Sequence, residues 1–128
     1  MNLLCWEGYE ADSVLGEFAR SRKIKTTAQT LLSDAATAHA LLHGGHTQWD
    51  VLNINNPWVR DFLCQHRVIR TLDEDRFENT LTRLLPEFDR LSQWARDDSG
   101  NIIGVCQRFG AFNFVVNARR IDLSLIHI

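Results

Sequence analysis

The sequence predicts an α/β domain, a mainly parallel sheet flanked by helices, on three observations. Short apolar runs alternate with stretches of helical periodicity, the connections between them are brief, and glycine or capping residues mark each change of period. The run Asn2-Leu3-Leu4-Cys5-Trp6 is compact and apolar, and Gly8 follows within two residues. That suits a buried strand ending near Trp6 and entering a turn. From Asp12, the apolar residues Val14, Leu15, Phe18 and Ala19 recur at three- and four-residue spacing with Glu17 and Arg20 between them. The spacing predicts an amphipathic helix that ends near Arg22. Lys23 to Gln29 is rich in β-branched residues and follows after almost no linker, as a second parallel strand would.

Ser33 stands where a helix N-cap belongs, strong helix formers run from Ala35 to Leu42, and Gly44-Gly45 supplies a stop. The apolar side of this helix reads as Ala36, Ala40 and Leu41. Asp50 to Ile54 predicts a third strand, and Asn56 before Pro57 has the form of a cap and first turn for a helix through Trp58, Val59, Phe62 and Leu63. The order βαβαβα predicts that the segments near Leu3, Thr26 and Leu52 are neighbours in one parallel sheet with helices on both faces. Beyond it, Leu72-Asp73-Glu74-Asp75 is polar, and Phe77, Leu81, Leu84 and Leu85 form a helical stripe that Pro86 interrupts, closing near Trp94. Asp97 to Asn101 is a turn cluster, and Ile102 to Val105 and Phe112 to Val116 read as strands.

With 128 residues, 45% hydrophobic and 23% charged, the chain can support one core. Its 14 basic and 16 acidic residues are interspersed and net to −2, so no basic field favours nucleic acid or an anionic membrane. No apolar run approaches the roughly 20 residues that span a bilayer, and Met1 to Tyr9 lacks the form of a secretory signal. Cys5, Cys64 and Cys106 lie far apart in apolar surroundings, without the paired spacing of a zinc ribbon or redox motif.

Four motifs in order carry a family resemblance. Trp6-Glu7-Gly8-Tyr9 closes the first strand with Trp, two variable residues and Tyr. Gly44-Gly45 precedes Gln48-Trp49-Asp50-Val51 at the third strand. Val68 to Asp73 leads into a Leu-Asp pair, and Phe109-Gly110 is followed by Asn117. Over residues 2 to 121 the chain resembles the periplasmic solute-binding proteins that deliver spermidine, putrescine and related solutes to ATP-driven importers. Asn53-Ile54-Asn55 departs from that family's Pro-Ser at the end of the third strand.

The resemblance implies a partial lobe of a periplasmic-binding-protein type II fold over residues 1–122, with a second lobe beyond it. Residues 123–128 read as a non-native tail, the translation of a sequencing adapter. A fragment of this kind is expected to leave apolar surface uncovered and to be poorly stable. The implied function is the substrate-binding component of an ABC importer, located in the periplasm although this sequence carries no signal peptide. Its implied partners are a polyamine-like solute and the permease subunits, with no nucleic acid and no membrane insertion, and the full-length protein would be a monomer. No enzyme activity and no cofactor are implied.

Ligands of open α/β sheets bind beyond the carboxyl ends of the strands. Trp6, Glu7, Tyr9, Ser33, Asn55, Trp58, Phe109 and Gly110 fall there and are the candidate substrate-binding residues. Trp6 and Tyr9 could cover the methylenes of a diamine or lie beside its ammonium, or Trp6 could be a core residue and Tyr9 a surface one. Glu7 could pair with an amine. Asn55 is favoured as the solute contact and Asn56 as the helix cap. Trp58 stands open between cleft and core, and Phe109-Gly110 between a cleft wall and a strand turn.

His39, His43 and His46 have a spacing that could bring two imidazoles to one zinc, but no His-Glu-x-x-His pattern is present and solvent-facing histidines near a helix C-terminus account for them. No nucleophile elbow or Gly-rich phosphate loop surrounds Ser13, Ser33-Asp34 or the cysteines. The competing reading is a small stand-alone intracellular α/β domain with a regulatory or enzymatic role.

Overall fold

In a computed structural model the described residues are 1–84, 86 and 92–108. The strand expected at Phe112 to Val116, the Phe109-Gly110 pair, Asn117 and residues 123–128 lie outside them.

Three parallel strands form one sheet: β1 Asn2–Cys5, β2 Thr27–Thr30 and β3 Val51–Leu52, in the order β2-β1-β3. Asn2 pairs with Thr27, Leu3 with Ala28 and Val51, and Leu4 with Gln29 and Leu52, so the expected neighbours share a sheet. β1 is central, and a strand covered on both faces has to be apolar at consecutive positions. Leu3, Leu4 and Cys5 are accordingly all buried. Hydrogen bonds continue past the strand ends, from Leu31 N to Cys5 O at 2.8 Å and from Asn53 N to Leu4 O at 2.8 Å. The Asp50 carboxylate also accepts from Asn2 N at 2.7 Å.

The helices flank the sheet. α1 spans Asp12–Arg22, with Asp12 in its first turn and Arg20 and Arg22 in its last, each favourably placed in the helix dipole. The second strand starts at Thr27, later than the Lys23 expected, because residues 23 and 24 serve to end α1. Lys23 takes the left-handed conformation, φ 53°, and the N–H groups of Lys23 and Ile24 donate to Arg20 O and Ala19 O, the Schellman pattern. A side chain in that region costs about 1 kcal/mol relative to glycine. Lys23→Gly should therefore raise unfolding free energy by about 0.5–1 kcal/mol in urea melts; unchanged or lowered stability would show that the strain is relieved in solution.

The face of α1 carrying Val14 and Phe18 stays largely exposed, at 48% and 43%, and Gly16 is its buried position. α2 spans Asp34–Leu42, and it buries Ala38 and Leu41, whereas the expected Ala36 and Ala40 face outward. Gly44, φ 100°, turns the chain into a 3₁₀ turn at Gly45–Gln48. The third strand is shorter than Asp50 to Ile54, since Ile54 has left the sheet to pack on the core beside α2.

α3 begins at Asn56–Trp58 and widens at once into a π-helical turn, Val59–Leu63, with Cys64 N donating to Val59 O at 2.8 Å. Asn55, rather than Asn56, holds the N-cap position, leaving Pro57 inside the first turn, where a missing N–H costs nothing. One core cluster joins Leu4, Leu31, Ala38, Leu41 and Leu63, with Trp6, Trp49, Leu52, Ile54, Trp58, Phe62, Val68 and Ile69 packed around it.

α4, Glu74–Leu81, is tied to the following turn by Glu74, whose two oxygens accept from Arg96 Nη2 at 2.6 Å and Nη1 at 3.3 Å. That hydrogen-bonded guanidinium holds the Glu74 carboxyl below the usual carboxylate range. The expected turn forms around Asp97. Its carboxylate accepts from the Asn101 carboxamide at 3.0 Å and from the N–H groups of Ser99 and Asn101 at 3.0 and 2.8 Å, and these bonds lower its pKa. The Ile102 to Val105 strand reduces to a single antiparallel bridge between Arg96 and Ile102. The neighbouring bonds, Ile103 N to Ala95 O and Leu72 N to Ile102 O, go to different segments and build no longer ladder.

Candidate functional site

Strand order β2-β1-β3 places a switch point at the central strand. The chain leaves β1 toward one side for β2, then crosses to the other side for β3, so the loops after β1 and β3 diverge at the carboxyl edge, the place where open α/β sheets take their ligands. Three candidate groups reach this edge, Trp6 to Tyr9 after β1, Ser33 after β2, and Asn55 to Trp58 after β3.

The loop after β1 is a tight turn, with Tyr9 N donating to Trp6 O at 3.3 Å, Gly8 at φ 95°, and Gly8 N donating to Glu10 Oε2 at 2.7 Å. The positive φ is what glycine permits here. Trp6 packs against the core cluster, and its indole Nε1 is buried without a hydrogen-bond acceptor among the described residues. Glu7 is exposed. Tyr9 is half-buried and its ring carries the Arg108 guanidinium, 5.2 Å from the centroid.

Ser33 acts as the N-cap of α2, its hydroxyl accepting from Ala36 N at 3.4 Å. Asn55 donates from Nδ2 to Asp34 Oδ2 at 2.6 Å, stitching the exit of β3 to the first turn of α2. Asn56 Nδ2 donates to Trp94 O. Trp58 is half-buried, its ring edge-on to Phe62 with centroids 5.8 Å apart. His39 and His66 also meet Phe62 edge-on, at 5.1 and 4.8 Å, and His46 Nδ1 lies 2.9 Å from Leu41 O. Among the described residues, no group of three or more His, Cys, Asp or Glu comes together to hold a metal ion.

Two residues not singled out from sequence complete the edge. Gln107 Oε1 accepts from Asn53 Nδ2 at 2.6 Å, and Arg108 lies on Tyr9, so this segment runs from the exit of β3 to the turn after β1. Their side chains are ordinary surface types, and only the adjoining Phe109-Gly110 drew notice in the sequence.

Away from this edge a depression of about 160 Å³ is lined by Arg60, Cys64, Gln65, Asp97, Asp98 and Ser99. Burial, and secondarily the charges of Asp97 and Asp98, push the Cys64 thiol up, which disfavours the thiolate a nucleophile needs. Burial, with Glu10 adding to it, does the same to Cys5, and burial does so to Cys106. No described helix is long and apolar enough to cross a membrane. No protein-family model matches the chain, and no curated protein matches it.

Proposed function

We propose that this chain supplies one face of a solute-binding cleft, as part of the substrate-binding component of a periplasmic ABC importer with a periplasmic-binding-protein type II lobe. Its solute is a polyamine or a similar small polar molecule. The reading is carried by one observation, the switch point at β1, whose exit turn carries Trp6 and Tyr9 while Asn55 and Trp58 follow the adjacent strand β3. The Trp6-x-x-Tyr9 resemblance at that same turn supports it.

A single lobe holds its solute weakly, since affinity in a hinged trap comes from burial between two faces. Binding is therefore expected at millimolar concentration and is best followed by amide and indole chemical shifts. Titration with a panel of small polar solutes, spermidine and putrescine among them, and with a neutral sugar for comparison, should with at least one member move resonances confined to Trp6 to Tyr9, Ser33 and Asn55 to Trp58. Shifts scattered over the whole surface, or none with any small polar solute, would overturn the assignment.

A further inference from the structure

The hydrogen-bonding groups at the carboxyl edge are unevenly spent. Two carboxylates near the β1 and β3 exits already have partners: Glu10 accepts from Gly8 N, and Asp34 accepts from Asn55. Glu7 stands out in solvent. The donors are less well served. Trp6 Nε1 is buried with no acceptor, and Arg108 forms no ion pair among the described residues.

Arg108 sits at the carboxyl edge between the exit of β3 and the turn after β1. The Gln107 side chain bonds that of Asn53 on one side, and the guanidinium carbon lies 5.2 Å from the Tyr9 ring centroid on the other. A guanidinium held over a ring by cation–π attraction keeps N–H donors to offer, the fork that matches the two oxygens of a carboxylate or phosphate. A diamine brings only donors and positive charge to such a place. It would have to displace Arg108 from Tyr9 to reach the ring.

We infer that the Arg108 guanidinium, held over the Tyr9 ring, receives the oxyanion end of the solute, a carboxylate or a phosphate. This rests on the cleft reading above and narrows the small polar solute to one that carries an acceptor group. The test uses four-carbon compounds of matched length with different ends: putrescine, 4-aminobutyrate and succinate, with inorganic phosphate as a further arm. The readouts are the side-chain resonances of Arg108 and Tyr9 in this chain and in Arg108→Gln.

Succinate and 4-aminobutyrate should shift both resonances saturably and putrescine should not, and Arg108→Gln should weaken the Tyr9 response at least tenfold. Response to phosphate alone assigns the oxyanion as phosphate, and response to the carboxylates alone assigns it as carboxylate. Saturable shifts with putrescine and none with any oxyanion overturn the inference and leave the cleft standing. Unchanged carboxylate binding in Arg108→Gln also overturns it. Silence with every compound overturns both the inference and the cleft. Arg108 is exposed, so its replacement is not expected to unfold the chain, and an unchanged amide spectrum of the variant without ligand checks this.

Discussion

Leu63→Ala should lower unfolding free energy by about 2–5 kcal/mol, the range for removing three buried carbons from a site that cannot collapse. Leu63 is fully buried in the π-helical turn, where it joins Leu4 of the central strand and Ala38 and Leu41 of α2. Because it connects the sheet to two helices, the loss should appear in the cooperative transition of the whole unit rather than as fraying. Urea unfolding followed by tryptophan fluorescence reads it directly. A change under 1 kcal/mol with an unaltered slope would mean that Leu63 is not where the sheet and helices lock together.

The second large effect concerns Trp6. Removing the ring in Trp6→Ala should cost about 3–5 kcal/mol, since the indole packs against the core cluster. Trp6→Phe should behave differently. It keeps an aromatic ring while discarding a buried N–H that has no acceptor among the described residues, whose desolvation costs about 1–3 kcal/mol, so the two changes offset to within about 1 kcal/mol. If Trp6→Phe destabilises as much as Trp6→Ala, the indole N–H has a hydrogen-bond partner in solution. The pair also separates stability from binding at this turn. A solute contact made through the N–H would be lost in Trp6→Phe while the fold survives.

The candidate edge was only partly legible. The turn at Trp6 to Tyr9 could be placed because Gly8 after an apolar run has few alternatives. The roles of Ser33 and Asn55 could not be separated beforehand. A serine or asparagine near a helix start can cap, bridge or bind, and the choice depends on what lies across from it. Here Ser33 caps α2 and Asn55 reaches Asp34, a residue 21 positions away. Arg108 had no sequence signal, because an arginine acquires meaning at this edge only from Tyr9, nearly the whole domain earlier in the chain.

By itself the sequence determined the period and order of the elements: the apolar run of β1, the helix from Asp12 to Arg22 and the parallel neighbours of Leu3. These follow from local sterics, capping and the 2.0 and 3.6 residue repeats, which act between residues close in the chain. Only the tertiary structure decided how long each strand stayed paired, which side of α2 was buried, that α3 widened into a π turn, and which donors were left without acceptors. Each of those is set by contacts between segments far apart in sequence, where packing and hydrogen-bond satisfaction outweigh local propensity by more than the few tenths of a kcal/mol that separate most residue types.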